Sequence, residues 1–324
     1  MAGDLFLAGA TGYIGQEILR QAVEGWAEGR VRALARSGRS TDEVRRAGAE
    51  PVRGDLLAPG PWQDAVRAST YVVHAAQPAA FGQRVSRRRA RAYGRARLIM
   101  DSNLLDSVDR RTLRRLVYVS GNSYFGETGT ADALDETMTR HPTGFGPYIE
   151  PAMAEVTGRI DAGLDAVIAV PAAVYGNGSW LREYTIDRLL ADKPLMALRG
   201  RSRTISPVHV ADVAGAVLHL LAVDAEVLHR QGRVFFVVDD RASTYAELNE
   251  QVAALLGRRV RTMTAPKWLL GLFAGSVSAD YMATDARYSN ARLKATGYRL
   301  RFPTIDTGLL DVLRGVQAKP LKSR

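Results

Sequence analysis

The run Gly9-Ala10-Thr11-Gly12-Tyr13-Ile14-Gly15 constrains this 324-residue chain more than any other segment. It follows the apolar stretch Leu5–Ala8, which reads as a buried strand, and precedes Gln16–Val23, whose apolar spacing reads as an amphipathic helix. A strand, a tight glycine turn and a helix start together make a phosphate-binding device. Gly9 lets the chain turn, Gly12 carries no Cβ to keep a pyrophosphate from the backbone, and Gly15 lets the helix pack close to the sheet. The helix N-terminus offers free N–H groups and a positive dipole end to the anion, with Thr11, Tyr13 and Ile14 completing the loop around it.

The rest of the first half repeats the strand–helix alternation. Apolar runs at Val31–Ala35, Glu50–Arg53, Thr70–Ala76, Leu116–Ser120 and Asp165–Val170 read as strands, helical patterns fill the gaps, and Val234–Val238 supplies a late strand. Such alternation predicts an α/β fold, a doubly wound parallel sheet of Rossmann type with ligands at the carboxyl ends of its strands. After Pro171 the texture changes to loops and irregular helices. The expected organisation is a dinucleotide-binding domain over 1–176 with a return near 207–238, and a smaller substrate lobe from 177–206 and 239–324.

The end of the second strand bears on which dinucleotide is held. A carboxylate there selects a ribose 2′-hydroxyl; this chain has Arg36 and Ser37, with Arg39 nearby. A guanidinium favours a 2′-phosphate and stacks on adenine, so the expected cofactor is NADPH/NADP+. Asp55-Leu56 is placed to accept from the adenine amino group, and the small Ala75-Ala76, followed by Gln77, let the backbone approach the cofactor.

Composition excludes several chemistries. With no cysteine there is no disulfide, no thiolate catalysis and no cysteine-bound metal, and no His/Asp/Glu spacing suggests a metal site. No Gly-x-Ser-x-Gly elbow is present. No apolar run reaches the roughly 20 residues of a membrane span, and no cleavable leader is recognisable, which together fit a cytoplasmic protein. The net charge of +10 owes much to arginines at 84, 87, 88, 89, 91, 95 and 97. Without a DNA-reading motif beside them, these read as a solvated helix face rather than a nucleic-acid surface.

These segments together resemble the extended short-chain dehydrogenases/reductases over nearly the whole length. The resemblance rests on the glycine turn, Gly54-Asp55-Leu56, Val117-Tyr118-Val119-Ser120, Pro171-Ala172-Ala173-Val174-Tyr175-Gly176, Pro207–Ala214 and Thr244–Leu248. It implies a nicotinamide cofactor, with Pro171 and Val174 beside it, and redox or epimerase chemistry. It also implies a serine after the fifth strand, a proton-handling tyrosine, and a lysine four residues on that lowers the tyrosine pKa. Here the chain departs from the family. Tyr148 is the natural match for the tyrosine, yet position 152 is Ala; a register shifted by one puts Pro147 and Pro151 in the two places. The serine position falls on Gly121, with Ser120 and Ser123 as neighbours, and Val170 stands where an arginine is often found.

The cofactor half is thus intact and the proton-transfer half altered, as in the atypical reductases that tailor aromatic polyketides, such as angucyclinone ketoreductases. The resulting expectation is an NADPH-dependent ketoreductase, a monomer or homodimer, acting on a bulky aromatic or polyphenolic ketone of antibiotic metabolism. Tyr148, Ser123, Ser120 or the substrate itself handles the proton, and Tyr124, Phe125, Phe145 and Trp180 sandwich the flat ring system. Two alternatives stay open: an NADP(H)-sensing regulator without turnover, and a sugar-nucleotide epimerase or dehydratase. His74 and His209 read as structural.

Overall fold

A computed structural model of the chain describes residues 2–78 and 84–317. Its centre is a seven-stranded sheet, entirely parallel. The strands are β1 (Leu5–Ala8), β2 (Val31–Ala35), β3 (Glu50–Arg53), β4 (Tyr71–His74), β5 (Arg115–Val119), β6 (Ala166–Pro171) and the late strand Val234–Val237. From one edge to the other they run Val234–Val237, β6, β5, β4, β1, β2, β3. The order reverses direction between β1 and β4, the crevice where doubly wound sheets bind ligands. The Rossmann-type α/β architecture is therefore as the alternation predicts. β1, β4, β5 and β6 are buried along their whole length, which is why they read as continuous apolar runs rather than alternating ones.

Helices α1 (Tyr13–Gly25) and Val210–Ala222 cover one face. The apolar stripe of α1, Ile18, Leu19 and Ala22, packs there with Leu5, Leu7, Val213 and Val217. Helices α3 (Trp62–Arg67), α4 (Arg87–Leu105) and α5 (Gly146–Asp161) cover the other, where Phe6, Met100, Leu104, Tyr118, Met153 and Val156 form the core. Helix α2 (Gly38–Arg46) follows β2 and begins in a capping box between Ser37 and Ser40. The first helix starts three residues before the sequence pattern suggested, because Tyr13 and Ile14 belong to its opening turn.

A third apolar cluster gathers Tyr175, Leu181, Ile186, Leu195, Leu248, Val252, Ile305 and Leu309 beyond the strand ends. Short strand pairs tie it together: Ala173–Tyr175 with Pro207–His209, Thr204–Ile205 with Ser243–Thr244, and Leu195–Leu198 with Thr262–Ala265. Among the described residues no helix is long and apolar enough to cross a membrane.

Candidate functional site

The glycine turn has the geometry that its residues require. Gly9 has φ +94°, and a Cβ on it would stand 2.5 Å from the Ala76 nitrogen, so the turn lies directly on the end of β4. A Cβ on Gly15 would fall 1.9 Å from the Gly9 carbonyl oxygen, so only glycine lets α1 close on the loop. Gly12 differs: a Cβ there would meet only the Gly9 oxygen, at 3.3 Å, and otherwise open space. Gly12 is the N-cap of α1 and provides no side-chain cap, which leaves the first-turn N–H groups of Tyr13, Ile14 and Gly15 facing that space. Gln16 secures the loop by donating from its side chain to the Thr11 carbonyl. The Tyr13 ring leans away toward Gly176, where a Cβ would come 2.7 Å from its hydroxyl.

At the end of β2, Arg36 is exposed and makes no hydrogen bond or ion pair among the described residues. Its neighbours are committed. The Ser37 hydroxyl caps α2 by accepting from the Ser40 N–H, and Arg39 pairs with Glu43 at 2.9 Å. Asp55 is half-buried and accepts from the Leu57 N–H, shaping the loop after β3. Leu56 is buried, and its carbonyl accepts from Asn103. Ala75 and Ala76 are half-buried at the end of β4, and Gln77 is exposed beyond them. Pro171 closes β6; Val174 follows in the next short strand and accepts at its carbonyl from Trp180.

Beyond β4 and β5 lies a small recess of about 40 Å³ lined by Gln77, Tyr93, Arg97, Tyr118, Ser120, Gly121, Ser123, Phe145 and Ile149. The structure brings Ser120, Ser123 and Phe145 together here with Gly121. It does not bring Tyr148. A Cβ on Gly94 of α4 would stand 3.4 Å from the Tyr148 Cβ, and Tyr148 packs against Val85, Ala90 and Val277 instead. On α5 it is Ile149 that lines the recess; four residues on, Met153 receives the Ser120 hydroxyl at its sulfur, Oγ···Sδ 3.0 Å. Tyr148 thus stands beside α4, and Ile149 rather than Tyr148 forms the α5 wall of this recess. Neither Ile149 nor Met153 can move a proton.

Three of the four expected stacking aromatics also lie elsewhere. Phe125 is buried against Phe236, with ring centroids 4.7 Å apart, and Tyr124 packs edge-on to Phe125 beneath the Arg140 guanidinium. Both are core residues, because the 3₁₀ turn after β5 aims them back at the sheet. Trp180 packs on Tyr245 in the third cluster and donates to the Val174 carbonyl.

Sequence reasoning missed the floor of the recess. Arg97, counted above with the solvated arginines, is 4% exposed. Its Nε donates to Asp101 and to the Tyr118 hydroxyl, Nη1 to the Ala76 carbonyl at 3.1 Å, and Nη2 to the Val119 carbonyl at 3.1 Å. It therefore clips together the ends of β4 and β5. Asp101, wholly buried, accepts from the Tyr118 hydroxyl at 2.5 Å and is 2.8 Å from His74 Nε2. Burial pushes the Asp101 carboxyl up, but the Arg97 charge and the hydrogen bonds from His74 and Tyr118 outweigh it and hold the group below its ordinary value. Burial pushes the His74 imidazole down, so it is neutral at pH 7. The signal was present in the sequence: Arg97 and Asp101 stand four apart on one helix face. The arginines at 84, 87, 88, 89, 91 and 95 are exposed.

The two remaining histidines of interest have structural partners. His74 belongs to the buried network, and His209 caps the helix Val210–Ala222 by accepting from the Ala211 N–H. No group of three or more possible metal-ligating side chains occurs among the described residues.

Comparison with solved structures places this arrangement. UDP-glucuronic acid 4-epimerase from Bacillus cereus, in complex with UDP-glucuronic acid and NAD, superposes with a TM-score of 0.78 at 14% identity, covering 97% of this chain and 99% of that one. UDP-glucose 4-epimerase from Thermotoga maritima gives 0.77 at 17%, covering 96% and 97%. The Thermus thermophilus UDP-glucose 4-epimerase complex with NAD gives 0.74 at 20%, covering 96% and 98%. No curated protein sequence matches the chain. The model of the NAD dependent epimerase/dehydratase family matches residues 5–235, and the chain belongs to that family.

Proposed function

We propose that the chain is an NADPH-dependent ketoreductase. The observation that carries this reading is the pairing of an intact dinucleotide cradle with a recess whose α5 wall carries Ile149 and Met153. Membership of the family supports a nicotinamide cofactor. The open space over Gly12 and the first-turn N–H groups suit its pyrophosphate, and the uncommitted Arg36 suits a 2′-phosphate. Asp55, Ala75, Ala76 and Pro171 stand at or just beyond the carboxyl ends of β3, β4 and β6, with Val174 in the short strand that follows. When bound there, the cofactor supplies hydride at C4 of its nicotinamide.

Epimerisation needs a base that removes a proton from an alcohol at neutral pH, and α5 presents none to the recess. Ketone reduction asks less: a donor of one proton to a forming alkoxide, or a substrate hydroxyl beside the carbonyl that shares its own. The recess, at about 40 Å³, takes only the reacting carbonyl end of a ketone, with Phe145, Ile149 and Tyr93 as its apolar lining and Ser123 as a hydroxyl beside them. A polyphenolic ketone of the kind found in polyketide antibiotics meets both requirements.

The test is transfer from NADPH deuterated separately on each face of C4 to a panel of phenolic and quinonoid polycyclic ketones, read by mass spectrometry. Deuterium in a product from one face only is the expected result. Tight NADPH binding with no transfer to any ketone favours a cofactor-sensing protein instead. Interconversion of sugar-nucleotide epimers without net transfer favours the epimerase reading.

A further inference from the structure

We propose that Tyr93 and Arg97 on α4 are the proton-donor pair of this site, in place of the tyrosine and cation that α5 does not present. The proposal rests on the reductase reading. The two residues stand four apart on one helix face, and both line the recess with Ser120, Gly121 and Ser123. Tyr93 is 5% exposed. Its hydroxyl donates to Gln77 Oε1 at 3.2 Å, and its ring lies 4.9 Å from that of Phe145. Arg97 stands one helical turn from Tyr93 and borders the same recess.

Tyr118 shares this fixed cation, but its hydroxyl is given to the buried Asp101 carboxylate, whereas the Tyr93 hydroxyl is directed to the exposed Gln77. Arg97 cannot turn away, because Asp101, Tyr118 and the carbonyls of Ala76 and Val119 hold it from three sides. A positive charge locked in place before reaction stabilises negative charge that appears during it, with no reorganisation at that moment. With NADPH bound, the cofactor would supply hydride to the ketone carbon and the C=O π pair would move to oxygen. The Tyr93 proton would pass to that oxygen, so that Tyr93 completes the alcohol. The phenolate left behind is stabilised by Arg97 and regains its proton from water by way of the recess mouth at Gln77.

Charges around Tyr93 give the pair its direction. Arg97 on α4 and Tyr118 on β5 line the recess with Tyr93, Asp101 and His74 stand behind them in the buried network, and α5 contributes no ionisable group to the recess lining. Burial and the Asp101 carboxylate favour the neutral phenol, while Arg97 favours the phenolate. Tyr93 is thus protonated at neutral pH and serves as an acid rather than a base, which suits reduction.

Two readouts test the pair. In the first, Tyr93→Phe is compared with the wild-type protein in single-turnover deuterium transfer, alongside NADPH affinity. The expected result is a rate lower by about 10²–10⁴-fold with unchanged affinity; an unchanged rate in an active protein overturns the proposal. If the wild-type protein transfers no deuterium to any ketone, the reductase reading itself fails, and the donor role with it. The second readout needs no turnover. With 3-fluorotyrosine at position 93, the fluorine shift is followed against pH in the wild-type background, in Arg97→Lys and in Arg97→Met, each checked for folding by circular dichroism. The ionisation midpoint is expected to rise in Arg97→Met and to stay nearer the wild-type value in Arg97→Lys. A midpoint that does not rise in Arg97→Met overturns the proposal. Should Arg97→Met not fold, Arg97→Gln replaces it with the same criterion.

Discussion

Gly94 and Tyr148 meet backbone to backbone where α4 crosses α5. A Cβ on Gly94 would stand 2.0 Å from the Tyr148 carbonyl oxygen and 2.9 Å from its carbonyl carbon. No side chain fits between the helices at that point. The contact fixes the rotation of α5, and so decides which of its residues face the recess. Gly94→Ala must push the helices apart. The expected cost is about 1–3 kcal/mol, the usual penalty for overpacking, less whatever alanine returns in helix propensity. Urea unfolding measures it. Because Tyr93 and Arg97 are on the same helix, the variant is also expected to lose activity beyond its loss of stability at temperatures where it remains folded.

The same crossing predicts the behaviour of Tyr148. The residue packs beside Val85, Ala90 and Val277, and Ile149, not Tyr148, lines the recess with Ser120 and Ser123. Tyr148→Phe keeps the ring and removes a hydroxyl from a residue that is not part of the recess lining. Deuterium transfer is expected to stay within about threefold of wild type, against the orders of magnitude lost when a transition-state contact is removed. A loss of that larger size would show that Tyr148 reaches the reacting atoms after all.

Much of the fold is legible in the sequence because burial on both faces writes the central strands as unbroken apolar runs. Leu5–Ala8 and Val117–Val119 need no partner to be recognised. The glycine turn is legible because each of its three glycines answers a separate steric demand. The recess is not, for two physical reasons. Helix rotation is set by a crossing partner, and nothing near Tyr148 in the chain announces that Gly94 will sit against it. Arg97 looks like its solvated neighbours because a charge is read as exposed unless its partners are known, and Tyr118 and the carbonyls of Ala76 and Val119 come from other strands. A search for tyrosine–cation pairs at four-residue spacing outside α5 finds Tyr93 with Arg97, Tyr184 with Arg188 and Tyr288 with Arg292, and of these the first lines the recess.

Arg36 gives the cofactor prediction. It is exposed at the end of β2, beside the start of α2, and free of the pairing that occupies Arg39. A bidentate guanidinium–phosphate contact is charge-assisted, and its partial exposure to solvent limits it to the lower end of such contacts. Arg36→Ala is expected to weaken NADPH binding by roughly tenfold, equivalent to about 1.4 kcal/mol, and to leave NADH binding nearly unchanged. Calorimetric titration of both cofactors measures the ratio. Equal weakening of the two would mean that Arg36 holds adenine rather than the 2′-phosphate. The effect on NADPH should shrink as salt is raised.

Asp239 predicts how stability depends on pH. It follows the edge strand and is 4% exposed. Its Oδ2 accepts from the Tyr175 hydroxyl at 3.3 Å, and its Oδ1 has no partner among the described residues. Burial and the nearby Asp212 carboxylate push its pKa from the usual 3.8 up to about 8, against a smaller opposing effect of the Tyr175 hydrogen bond. In that window the folded chain holds a proton that the unfolded chain has released, so this residue's contribution to stability falls as pH rises from about 4 to about 8, by up to about 1.4 kcal/mol per unit. Above that range the folded protein keeps a buried, poorly paired carboxylate. Asp239→Asn cannot ionise and loses this dependence. Relative to wild type it is expected to gain stability steadily between pH 5 and pH 8, by a few kcal/mol in all. His74 works in the opposite sense: buried and neutral, it costs stability as pH falls below its unfolded value. It is present in both proteins, however, and cancels from the difference. Urea unfolding of the pair at unit intervals of pH gives that difference directly, and a flat difference would mean that Asp239 is ionised in the native protein throughout.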